Sequence, residues 1–92
     1  MGGAVEALES VTIHPPVFID PDAQVVNSTI GPYVSIGAGC KVENSTIRDS
    51  ILEREAHIKD AHLSSSVIGE RAVVEGLSGQ FNIGDDSVVK SE

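Results

Sequence analysis

Apolar residues in this chain fall into columns rather than runs. Segments opening on Ile or Leu begin at Ile19, Ile36, Leu52, Ile68 and Ile83, with steps of 17, 16, 16 and 15 residues. Four residues after each opener stands a small one: Ala23, Cys40, Ala56, Ala72 and Ser87. Two further on comes a branched apolar residue: Val25, Val42, Ile58, Val74 and Val89. A third column runs Ile30, Ile47, Leu63, preceded two residues earlier by Ser28, Ser45 and Ala61. The match of "IHPPVFI" to "IGPYVSI" places Ile13 at its head. A surface helix would repeat apolar residues at three and four, and a hairpin sheet at two. Recurrence near six is the pattern of the hexapeptide β-helix. Each short strand then turns one large and one small side chain inward, two residues apart. Three strands joined by corners make one coil. The spacing predicts an all-β parallel β-helix, a triangular prism over residues 13–90, with residues 1–12 a linker or remnant ahead of it.

The turn formers add a second set of columns. Gly37, Gly69 and Gly84 follow their openers, where tight turns with positive φ are expected. Asn27, Asn44, Asp60 and Gly76 mark the next corner, residue types that tolerate left-handed backbone. Coils stack about 4.8 Å apart, so column neighbours touch. One outward column therefore reads Val26, Glu43, Lys59, Glu75, with Lys59 between two carboxylates. Arg54 and Arg71 are expected to form weak exposed pairs among Asp20, Asp22, Glu53, Glu55, Glu70, Asp85 and Asp86. The fourth coil breaks the order: Leu77 and Gly79 reverse the small-then-large sizes. Phe81 is expected to fill the space at Gly79, with a local bulge as the alternative.

Composition narrows the function classes. At 92 residues the chain makes one domain with a marginal core, and two Phe, one Tyr and no Trp cannot fill it with rings. Six basic against fourteen acidic residues give a net charge of −8 without a basic stripe, which argues against nucleic acid and anionic membranes. Apolar runs are too short to span a bilayer. The start "MGGAVEALES" lacks the cationic and apolar regions of a signal peptide, and Glu6 stands where myristoylation wants Ser or Thr. One cysteine, Cys40, excludes an internal disulfide, and a cytoplasmic protein is expected.

The string "IHPPVFIDPDAQVVNSTIGPYVSIGAGCKVENSTIRDSIL", residues 13–52, resembles the C-terminal left-handed β-helix of sugar-1-phosphate nucleotidylyltransferases. It is most like long-form glucose-1-phosphate thymidylyltransferases. The resemblance covers roughly residues 13–89 and supplies the left hand, since general rules favour right-handed crossovers. It implies a non-catalytic assembly or regulatory domain, with self-association into a dimer or trimer and a nucleotidyltransferase catalytic domain as further partner. The parent enzyme would join a nucleoside triphosphate to a sugar 1-phosphate with magnesium, and this chain itself would hold no cofactor. No segment here resembles that family's glycine-rich nucleotide loop, so the chain reads as a piece of a larger enzyme or a stand-alone relative.

The competing class is an enzyme, a small hexapeptide acyltransferase or a γ-carbonic-anhydrase-like protein with an inter-subunit histidine site. His57 and His62, five apart, are its candidates as zinc ligands or general base, with His14 as a third imidazole. The columns send His57 and His62 out of adjacent faces, so solvated surface imidazoles are the plainer reading. Cys40 stands in the small inward column and reads as a buried hydrophobe. The acidic corner could take a divalent cation, although Arg54 and Arg71 neutralise part of it. Val26, Ile51, Val67, Val73 and Val88 fall at outward positions, Ile51 and Val67 with the option of turning inward at the third corner. Exposed apolar residues mark contacts, and Val26, Val67, Val73 and Val88 form the expected oligomer interface.

Overall fold

The computed structural model of the chain describes residues 8–91. Residues 1–7, most of the expected linker, lie outside the described residues. Three parallel sheets of six, five and five strands form the faces of a prism. The first face is built from Leu8–Glu9, Gln24–Val26, Lys41–Glu43, His57–Lys59, Val73–Glu75 and Val88–Lys90. The second holds Thr12–Ile13, Thr29–Ile30, Thr46–Arg48, His62–Ser64 and Ser78–Gly79. The third holds Val17–Ile19, Val34–Ile36, Ser50–Leu52, Val67–Ile68 and Asn82–Ile83. The chain visits the faces in turn and returns to each one coil later, giving a left-handed parallel β-helix of 37 × 22 × 22 Å. The first ladder reaches back to Leu8–Glu9, paired with Val25–Val26, ahead of the point where the apolar pattern becomes legible.

The columns are physical stacks. Ile19, Ile36, Leu52, Ile68 and Ile83 pair in unbroken register, and so do Ile13, Ile30, Ile47 and Leu63. Val25, Val42, Ile58 and Val74 are fully buried between the small residues Ala23, Cys40, Ala56 and Ala72. Alternating large and small inward side chains let three sheets meet at a narrow axis without aromatic rings.

Serines solve a problem that alanine cannot. Ser45 Oγ donates to Glu43 O at 2.7 Å in its own coil and accepts from Ala61 N at 3.2 Å in the next. Ser28 does the same between Val26 O and Ser45 N, and Ser50 between Arg48 O and Ser66 N. Ser66 continues that line to Phe81 N at 2.9 Å. Each hydroxyl thus ties a corner to the coil above, where a buried backbone N–H would otherwise lack a partner. The inward small column of the third face, Val34, Ser50 and Ser66, is absent from the sequence reading.

Of the two expectations about corners, one holds and one is corrected. Asn27, Asn44, Asp60 and Gly76 do adopt left-handed backbone, with φ between 50° and 73°. At the corner after the openers, however, positive φ belongs to Gly39, Glu55, Arg71 and Asp86, three residues on, and not to Gly37, Gly69 or Gly84. Gly37 and Gly69 answer to crowding instead. A Cβ on Gly69 would lie 2.5 Å from Asp85 N, and one on Gly37 3.1 Å from Leu52 O.

The charge ladder forms as a column but not as ion pairs. Glu43, Lys59 and Glu75 stand in register, yet Lys59 makes no ion pair within 4.0 Å among the described residues. Exposed lysines gain too little from such a contact to give up rotamer freedom. In the fourth coil Gly79 pairs with Leu63 as the numbering requires, and the Phe81 ring comes within 3.7 Å of the Cβ position Gly79 lacks while packing on the core.

Candidate interaction surface

Strand alternation decides what the third face shows to solvent. With Val17 and Ile19 turned toward the core, Phe18 between them must point out, and it is 58% exposed. The same parity runs up the face through Ser35, Ile51, Val67 and Asn82. Ile51 and Val67 remain outward, 47% and 40% exposed, and do not swap into the core.

Tyr33 joins this column from the third corner. Six positions separate Ile30 from Ile36, whereas five separate Ile47 from Leu52, and the extra residue loops out at the corner. Tyr33 sits there with φ of 63° and is 66% exposed, its N–H donating to Pro16 O at 2.7 Å. Pro16, Phe18, Tyr33, Ser35 and Ile51 border a shallow hollow of about 350 Å³. Two of the three aromatic residues therefore stand together on one edge of the prism.

The four residues predicted as an interface divide between faces. Val26, Val73 and Val88 belong to the first face, where Val26 is half-buried beside Glu43, Val73 is half-buried between His57 and Val88, and Val88 is exposed. Only Val67 lies in the apolar column of the third face. Phe18 and Tyr33 are not among the residues expected from the sequence, although the column count that sends Ile51 outward sends Phe18 outward too.

His57 and His62 are exposed on different faces. His57 lines a hollow of about 90 Å³ with Lys41, Glu43, Lys59 and Glu75. His62 lines another of about 210 Å³ with Thr46, Arg48 and Ser64. His14 is exposed, ahead of both. Among the described residues no group of three or more His, Cys, Asp or Glu side chains is placed to hold a metal ion.

The acidic corner is occupied by its own arginines. Arg71 grips Asp86 in a two-pronged contact of 2.6 and 3.0 Å, and Glu70 lies 3.4 Å from Arg71 and 3.5 Å from Arg54. That contact raises the Arg71 guanidinium and lowers the Asp86 carboxyl, mainly through the shared hydrogen bonds. Asp85 Oδ1 accepts from Glu70 N at 2.8 Å. Cys40 is buried, with Sγ–H donating to Glu53 O at 2.8 Å.

A family model for the GMPPB C-terminal domain, the β-helix domain of sugar nucleotidyltransferases, matches residues 8–92. The chain belongs to this GMPPB C-terminal domain family. No curated protein sequence matches it significantly. Among solved structures it is similar to a variant of perosamine N-acetyltransferase from Caulobacter crescentus, in complex with CoA and GDP-perosamine. That likeness has a TM-score of 0.76 at 20% identity, covering 91% of this chain and 46% of that one. The acetyltransferase domain of PglB from Neisseria gonorrhoeae, in complex with acetyl coenzyme A, matches at 23% identity with a TM-score of 0.40, covering 88% of this chain and 54% of that one. The chain thus spans about half the length of these structures, and at such identities the first likeness shows the fold alone.

Proposed function

We propose that this chain is the non-catalytic assembly domain of a sugar-1-phosphate nucleotidylyltransferase. The observation that carries the reading is the family match over residues 8–92. The parent joins a nucleoside triphosphate to a sugar 1-phosphate and releases diphosphate, with magnesium held by its own catalytic domain. The finer form of the proposal follows the likeness of residues 13–52: the parent transfers a thymidylyl group to glucose 1-phosphate.

The assembly role falls to the third face. Phe18, Tyr33, Ile51 and Val67 are exposed along one face, with Ser35 between Phe18 and Ile51, and apolar surface of this kind on small domains marks contacts. The partner that fits is a second copy. A straight column on a rigid sheet is self-complementary when two prisms meet about a two-fold axis, as in most homo-oligomers.

Reading the coding region upstream tests the class. A glycine-rich nucleotide loop followed by metal-binding aspartates is expected, and a complete short reading frame overturns it. Assaying the purified parent with each nucleoside triphosphate tests the specificity: diphosphate release with dTTP and glucose 1-phosphate is expected, and preference for another base discards the finer form. Acetyl transfer from acetyl coenzyme A by the 92-residue chain, lost in His57→Ala or His62→Ala, would replace the whole reading by the acyltransferase one.

A further inference from the structure

The second face carries no carboxylate. Its five strands contain none of the fourteen Asp and Glu residues of the chain. Outward positions there are Thr29, Thr46, His62 and Ser78 in one column, with Arg48 beside Ser64 in the next. Thr46, Arg48, His62 and Ser64 border a single hollow of about 210 Å³ over the buried Leu63.

Arg48 differs from its counterparts at the acidic corner. Arg54 and Arg71 are held by Glu70 and Asp86, whereas Arg48 has no carboxylate within 4.0 Å among the described residues. Asp49 and Asp60 stand on the flanking corners, both exposed and both in left-handed backbone. The hollow is therefore bordered by a guanidinium, an imidazole and two hydroxyls, all able to donate hydrogen bonds, without a competing acid on the sheet. In a chain of net charge −8 such a patch is the exception.

We propose that this patch, centred on Arg48 and His62, binds a phosphate monoester. The planar guanidinium matches two phosphate oxygens side by side, and a ring N–H of His62 reaches a third. The hydroxyls of Thr46 and Ser64 meet the remaining oxygen or the hydroxyls of an attached sugar. Open to water on one side, the site binds weakly, on the order of millimolar. The inference rests on these side chains and stands whether or not the parent is a nucleotidylyltransferase.

The test is a chemical-shift titration of the 92-residue chain with inorganic phosphate and, separately, glucose 1-phosphate, at constant ionic strength held with sodium chloride. Saturable shifts at the amides of Thr46, Arg48, His62 and Ser64 are expected. Arg48→Ala should weaken binding about tenfold, the loss expected for one charge-assisted contact, while Lys59→Ala on the first face should leave it unchanged. Tighter binding of the sugar ester, reduced in Thr46→Val and Ser64→Ala, identifies a sugar phosphate as the ligand. Equal binding of both probes, untouched by those two variants, identifies the phosphate group alone. Linear, unsaturated shifts, or equal weakening by Lys59→Ala, overturn the site. All four substitutions are at exposed or half-exposed positions, so a preserved spectrum elsewhere shows that the fold is intact.

Discussion

Cys40 shows how far a single residue is governed by its column. Three alanines and a serine share its level, so a thiol fits and a larger side chain does not. Cys40→Ala should be nearly neutral in urea unfolding at neutral pH, and Cys40→Leu should cost about 1–3 kcal/mol through overpacking. Burial pushes the thiol above its ordinary 9.0, against backbone hydrogen bonds from Ala56, Gly37 and Glu55 that lower it. A raised folded value means stability fully present below about pH 9 and lost as pH rises through the folded value. As pH rises past about 9, unfolding stability should fall more steeply for the wild type than for Cys40→Ala. Labelling by a thiol reagent in native buffer should be slow; rapid labelling would contradict the burial. Ser45 is the polar counterpart. Ser45→Ala strands the buried Ala61 N–H and should cost about 1–3 kcal/mol, read from the shift of the urea midpoint. Little change would mean that water takes over the bond.

At the scale of the element, a corner is defined by two demands that a sequence does not separate. One is left-handed backbone, met by Gly39, Glu55, Arg71 and Asp86; the other is room for the next coil, met by Gly37 and Gly69. Both appear in the text as glycine near an apolar opener, and the pattern points to the first where the second applies. The distinction is measurable. Gly69→Ala drives a methyl into Asp85 backbone and should cost about 1–3 kcal/mol by thermal or urea unfolding. Gly84→Ala, whose Cβ would meet only Ser87 Oγ at 3.9 Å, should be neutral or slightly stabilising. Equal losses at both sites would return the role to backbone conformation. The serine ties are illegible in the sequence for a similar reason: a small residue in an inward column reads as volume, and its hydroxyl matters only once the next coil is placed above it.

For the whole molecule, repetition turns single outward positions into surfaces. One exposed Phe or Val says little, but parity repeated coil after coil aligns Phe18, Ile51 and Val67 into a strip with Tyr33 at its edge. Sedimentation velocity should show a species heavier than the monomer at high micromolar concentration. The double variant Phe18→Ser with Ile51→Ser should return it to monomer without loss of β-sheet signal, and Val26→Ser with Val88→Ser should not. A wild-type chain that is monomeric throughout removes the self-association proposal. A variant effect confined to the first-face valines would instead support the interface expected from the sequence.

The sequence by itself determined the period, the inward columns of the first two faces, the openers of the third and the class of fold, because each depends on side-chain size at fixed spacing along one chain. It also placed His57 and His62 on separate faces, since strand parity is a local property. Tertiary structure alone decided which glycines answer to backbone and which to crowding, which arginines find carboxylates, and which face is left free of them. Those outcomes depend on what stands 4.8 Å away in the neighbouring coil, a distance of some sixteen residues in the text that no local pattern encodes.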